Sequence, residues 1–178
     1  MREEHPSPFP TALVLDTSFL RTIGGTDSTP YQTFIQYVRA QDVDLYLTPG
    51  VTEEIAEQHG YISIDWVDRA DTTEWITVID TVEPGVRMHD GPRAGELMDR
   101  VHERLAKFEQ TDPDELRKTD SELPAAAVQL LGSTAHDSVG ILIDDRNAER
   151  AISGVIDNTY YEGRIRVLSI WDAIEQIR

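Results

Sequence analysis

Short apolar runs alternate with stretches of helical periodicity along most of the chain, and this alternation limits the fold more than any other feature. Ala12 to Leu15, Leu45 to Leu47, Ile141 to Ile143 and Ile165 to Leu168 are short and mainly apolar, as buried strands are. Between and after them come helical patterns. Tyr31, Phe34, Ile35 and Val38 mark a helix over Tyr31 to Arg39. Thr48 as N-cap and Pro49 at the first helical position open another, running to about His59 with Gly60 as its stop. Leu123 to Leu131 (closed by Gly132), Ala148 to Ile156 and Ile170 to Ile177 complete the set. Strands alternating with helices predict an α/β fold: a mainly parallel sheet, helices on both faces, right-handed crossovers between strands.

Residues 61–118 are less regular. Trp75 to Ile79 reads as a strand and Pro84-Gly85 as a turn. Leu97, Met98, Val101, Leu105 and Phe108 space a helix over Ala94 to Phe108. The expectation is a flexible leader at 1–10 and a single domain at 11–178, in which 61–118 forms an enlarged middle segment, an inserted helical region or a lid.

Charge narrows the setting. Acidic residues number 33 against 16 basic ones, for a net charge of -17, and the acids are spread along the whole chain. Only Lys107 and Lys118 are lysines. A strongly negative surface is compatible with a protein that avoids nucleic acid, but spread acidity with scarce lysine favours a halophilic source, where salt at 1 M screens self-repulsion beyond about 3 Å. There is no cysteine, which excludes disulfides and thiolate metal sites. The first ten residues lack the apolar core of a signal peptide, and no apolar run approaches the roughly 18–20 residues needed to span a bilayer. A soluble, cytoplasmic protein with no membrane partner is expected.

Ligands of open parallel sheets bind at the carboxyl ends of the strands. Asp16 directly follows the first apolar run; Asp144 and Asp145 follow Ile141-Leu142-Ile143. Glu54 lies in the second turn of the helix opened by Thr48-Pro49. Val51 and Ile55 set that helix's apolar face; Glu54 falls about 80° from its centre and Glu53 about 180°, so Glu54 borders the interior and Glu53 is solvated. Asp120 sits at the start of the Leu123 helix. Thr119 as N-cap with Glu122 would make a capping box, but Ser121 as N-cap is preferred, which leaves Asp120 just outside the helix. Gathered carboxylates repel one another unless a cation lies among them. Oxygen-only ligands suit Mg²⁺ or Mn²⁺, not Zn²⁺. One such ion, or two about 3.5–4 Å apart, would support phosphodiester hydrolysis.

Taken in order, Leu13-Val14-Leu15-Asp16-Thr17-Ser18, Thr48-Pro49 leading to Glu54, Thr119-Asp120-Ser121, and Ile141-Leu142-Ile143-Asp144-Asp145-Arg146 resemble the PIN-domain family. The last strand and helix match that family's ending, and the resemblance covers roughly 12–60 and 118–178. It implies a three-layer α/β/α nuclease fold and Mg²⁺- or Mn²⁺-dependent cleavage of single-stranded RNA. Asp16, Glu54, Asp120 and Asp145 fall on the family's catalytic acidic positions. Asp16, Asp120 and Asp145, assisted by Asp144, are the expected metal ligands, and Ser18 takes the small polar position beside them. Ile143 departs from the pattern, standing where a threonine or serine is common. The long 61–118 segment departs from the compact toxin-type members and leaves room for RNA processing. An antitoxin or RNA-processing partner and a homodimer lie within the family's range.

Arg21, Arg146 and Arg150 are candidates for phosphate contacts, weighed against ordinary surface pairing. The five histidines have no metal-binding spacing; His136 precedes the third apolar run and is read as a loop residue without a role. Trp66, Trp75 and Trp171 are read as core or interface residues. A phosphatase-like hydrolase with Asp16 as nucleophile is disfavoured, because Ser18 stands where that chemistry places a second Asp. A non-catalytic scaffold or RNA-binding partner of the same fold is the alternative to the nuclease.

Overall fold

The computed structural model describes residues 9–58, 60–133 and 136–178. Most of the expected leader and His59, the expected last residue of one helix, lie outside the described residues. The elements follow in the order β1 (Ala12–Leu15), α1 (Thr17–Ile23), α2 (Thr29–Ala40), β2 (Asp44–Leu47), α3 (Pro49–Glu57), α4 (Trp66–Thr72), β3 (Ile76–Val78), α5 (Ala94–Glu109), a 3-10 turn at Pro113–Glu115, α6 (Thr119–Ser133), β4 (Val139–Leu142), α7 (Arg146–Ile156), β5 (Ile165–Leu168) and α8 (Ile170–Ile177). The strands form one parallel sheet in the order β3-β2-β1-β4-β5.

Burial explains why the runs are apolar. The central strands β1 and β4 are covered on both faces, and every residue of each is buried. On one side α5, α6 and α7 pack against one another; elsewhere α8 meets α1 and α2. The result is the three-layer α/β/α sandwich. Phe19 and Phe34, both fully buried, meet edge-to-face at 5.2 Å beneath α1 and α2. The four strands expected from the apolar runs are present, with β4 beginning earlier, at Val139. The Trp75 to Ile79 reading also holds: the Trp75 carbonyl accepts from Leu45 N at 2.8 Å, and Ile79 N donates to Leu47 O at 2.8 Å. That edge strand makes five among the described residues.

Two expectations need correction. The helix in 61–118 is not a lid: Leu97, Val101 and Leu105 of α5 are buried at 0–3% exposure against α6 and α7. Its many charges lie outside this amphipathic stripe. The second concerns α6, expected over Leu123 to Leu131. It starts at Thr119 and continues through Gly132 to Ser133. Glu122 N donates to Lys118 O at 3.2 Å, which fixes the start. Pro124 is tolerated because the donor it lacks would have served only the first-turn carbonyl of Asp120. Trp66 is fully buried, Trp75 partly, while Trp171 is 62% exposed.

No helix among the described residues is long and apolar enough to cross a membrane. The surface charge carries a prediction. Raising KCl from about 0.1 M to about 2 M is expected to raise the thermal midpoint by about 10 °C or more, because self-repulsion is screened. Melting curves at fixed pH test this; a midpoint insensitive to salt would count against halophilic adaptation.

Candidate active site

The strand order reverses between β1 and β4, since β1 leads outward to β2 while β4 leads the other way to β5. Parallel sheets open their ligand crevice at such a switch point. Asp16 and the Asp144-Asp145 pair emerge side by side there. Asp16 N donates to Leu142 O at 2.9 Å, holding the two strand ends together.

Asp16 is 3% exposed and caps α1, its Oδ2 accepting from Ser18 N at 3.0 Å. The Ser18 hydroxyl also donates to this Oδ2. The same hydroxyl accepts from Asp144 N at 2.8 Å. Ser18 therefore braces the end of β1 against the end of β4. Asp145 caps α7, its Oδ1 accepting from Ala148 N at 3.0 Å. Asp144 is exposed and turns toward α1, accepting from Thr22 Oγ1 at 2.6 Å.

Glu54 is partly buried and Glu53 exposed, as their helical phase requires. Thr17 Oγ1 donates to Glu54 Oε2 at 2.6 Å, tying α3 to α1. Arg117 lies 3.6 Å from Glu54 Oε1 and 2.5 Å from Glu57 Oε2. Reasoning from sequence missed both Thr17 and Arg117. Thr17 could have been suspected as the neighbour of Asp16 at the helix start; Arg117 had no local signal, because its partners are 60 residues or more away.

Asp120 does not stand outside its helix. It is the second residue of α6, and Ser121 is not the cap; its hydroxyl donates to Lys118 O at 2.7 Å. Glu122 completes no capping box either: its Oε2 accepts from Gly50 N at 3.0 Å, docking the start of α3 on the start of α6. The Asp120 carboxyl has no hydrogen-bond partner among the described residues. Burial, then the charges of Asp16, Asp145 and Glu54, push its pKa up to about 8. Asp16 is also raised, first by burial and further by Glu54, against the lowering effect of the Ser18 hydroxyl and backbone N–H. Asp16, Glu54, Asp120 and Asp145 thus gather at one edge of the sheet and act on one another.

Their chemistry fits a hard divalent cation: oxygen donors only, two of them, Asp16 and Asp120, desolvated among like charges. No three His, Cys, Asp or Glu side chains among the described residues stand close enough to clasp one ion as placed. Holding an ion therefore requires carboxylate rotation. Asp120, which no described hydrogen bond restrains, is the freest to turn.

Other residues distribute differently. Arg21 and Arg146 are exposed, in the last turn of α1 and the first turn of α7. Arg150 stacks on Phe108, 4.6 Å from the ring centroid. His136 hydrogen-bonds Thr11 at 3.1 Å and lies 3.5 Å from Asp44, at the amino ends of β1 and β2, the edge away from the carboxylates.

The α3–α6 junction carries a prediction. A β-carbon on Gly50 would fall 2.9 Å from Glu122 Oε2 and 3.2 Å from Thr119 Cα. Gly50→Ala must displace the Glu122 carboxylate that Gly50 N now holds and make the start of α6 at Thr119 give slightly. The expected cost is about 1–3 kcal/mol in denaturant unfolding. Unchanged stability would mean that the junction is not tightly packed.

A family profile described as Halobacterial PIN domain matches residues 9–178. No curated protein matches the chain.

Proposed function

The chain belongs to the halobacterial PIN-domain family, a nuclease-like fold, and from that premise we propose that it is a Mg²⁺- or Mn²⁺-dependent endoribonuclease acting on single-stranded RNA. One observation carries the reading: Asp120, partly buried and without a hydrogen-bond partner among the described residues, is acted on by the charges of three other carboxylates where the strand order reverses. Like charges are concentrated this way at a cost, which a bound cation offsets.

Asp16, Asp120 and Asp145 would hold the ion, with Asp144 assisting. The ion, when bound, supplies Lewis acidity that favours a hydroxide nucleophile and stabilises charge on the scissile phosphate. Ser18 holds Asp16 and the Asp144 backbone in register. Glu54, which the Thr17 hydroxyl orients, would accept a proton from the attacking water. The starts of α3, α6 and α7 meet at this edge, and their positive dipole ends favour an anionic backbone despite the acidic side chains. Arg21 and Arg146 are the candidates for phosphate contacts at the rim.

The competing reading is a non-catalytic scaffold or RNA-binding partner of the same fold, favoured by the lack of a ready-made chelate among the described residues. Incubation of the purified chain with labelled single-stranded RNA and Mn²⁺, in salt that keeps it folded, separates the two. Cleavage abolished by EDTA and restored by Mn²⁺ supports the nuclease. Intact RNA under every divalent condition supports the scaffold. Growth arrest on expression, relieved by a co-expressed antitoxin, would assign the activity to toxin-type cleavage; unaffected growth would assign it to RNA processing.

A further inference from the structure

We propose that the seam between α5 and α7 is a track for the RNA backbone, leading from a groove near the end of α7 to the carboxylate edge. The proposal rests on the RNA reading above and adds the path taken by the strand outside the cleavage site. The two helices run antiparallel: Arg150 of α7 stacks on Phe108 of α5, and four residues further along α7 Gly154 receives Arg104, four residues earlier on α5. Along this seam Arg146 and Arg150 lie one turn apart on α7, and Arg100 and Arg104 one turn apart on α5, with Lys107 beyond. Five of the chain's 16 lysines and arginines therefore follow one line. Its upper end, Arg146, adjoins Asp145. From Arg146 to Gly154 the helix advances about 12 Å.

Two of these cations are stacked. Arg104 and Arg150 both lie over the Phe108 ring, at 5.9 and 4.6 Å. A β-carbon on Gly154 would fall 2.7 Å from the Arg104 guanidinium carbon, so the glycine admits that group against the α7 backbone. Beside it Arg100, Arg104 and Lys107 line a groove of about 390 Å³ with Asn158, Thr159 and two acids, Glu103 and Asp157. Ion pairs among the described residues engage Arg100, Arg117 and His136, but none engages Arg104, Lys107 or Arg150. In a chain with 33 acidic residues, three adjacent cations without a carboxylate partner are available to an external polyanion. Guanidinium forks over an aromatic ring suit phosphodiester oxygens and a stacked base.

The test uses a fluorescein-labelled 12-nucleotide single-stranded RNA and anisotropy, in an Asp145→Asn background so that the probe stays intact. Replacing Arg104, Lys107 and Arg150 together by Gln is expected to weaken binding at least tenfold. It should also flatten the dependence of log affinity on log salt by about 2, since each phosphate that is no longer neutralised takes about 0.7 from the slope. Arg104→Lys with Arg150→Lys should keep most of the affinity. If the triple variant does not fold by circular dichroism, Lys107→Glu alone, an exposed position, should weaken binding about threefold. A folded triple variant with the parent's affinity and salt slope overturns the track, as does a parent that binds no RNA. Cleavage is scored separately in the native background: a chain that binds RNA through this seam but cuts none keeps the track and loses the nuclease.

Discussion

Asp16→Asn and Asp145→Asn should each lower Mn²⁺-dependent RNA cleavage at least about a hundredfold while leaving the fold intact. The magnitude follows from the role assigned: partners that only support metal ligands cost about 10–100-fold when removed, so a ligand itself costs more. Retention of the fold follows from capping. Asp16 accepts from Ser18 N and Asp145 from Ala148 N, and an asparagine carbonyl can accept the same bonds. What asparagine removes is negative charge at the edge where β1 and β4 end. Turnover with saturating RNA across a Mn²⁺ titration, beside a thermal melt, checks both halves. Parent-like cleavage in either variant would remove that residue from the site. Ser18→Ala, which removes only the brace between Asp16 and the Asp144 backbone, should cost less than either.

Asp120→Asn should inactivate the protein and stabilise it at once. Asp120 is pressed by burial and by Asp16, Asp145 and Glu54 until its pKa reaches about 8, from an ordinary 3.8. Between those values the unfolded chain has released this proton and the folded chain still holds it. Folding therefore takes up a proton, and Asp120's contribution to stability falls as pH rises from about 4 to about 8. Below that window both states are protonated and nothing is lost; above it both are ionised and the loss is complete. Asparagine carries no such proton. In EDTA the stability advantage of Asp120→Asn should be smaller at pH 5.5 than at pH 8.5, read by urea unfolding in constant high salt. Mn²⁺ should narrow the gap by stabilising only the parent, because the ion favours the ionised carboxylate. A gap that does not change with pH would mean that Asp120 is not desolvated among its neighbours.

Much of this site was legible because short-range chemistry fixes it. An acid directly after an apolar run must leave a buried strand at its carboxyl end, and Asp16 and Asp145 do so. Helical phase alone separated Glu54 from Glu53. The start of α6 was harder: Thr119, Ser121 and Glu122 offered two capping schemes of similar local merit. The decision came from Gly50, 72 residues away, whose N–H takes the Glu122 carboxylate. Arg117 was invisible for the same reason. The apolar stripe of α5 was legible, but its partners α6 and α7 lie far along the chain, so a packed helix could be read as a lid. The basic line along the α5–α7 seam exists only once antiparallel packing brings Arg104 and Arg150 onto one phenylalanine.

The proposed ion site can be examined directly by growing crystals in Mn²⁺ and collecting anomalous diffraction at the manganese edge. The account predicts a peak bounded by the carboxyl oxygens of Asp16, Asp120 and Asp145, with Asp120 rotated toward it. Ordered side chains at this edge with no anomalous density between them would contradict it.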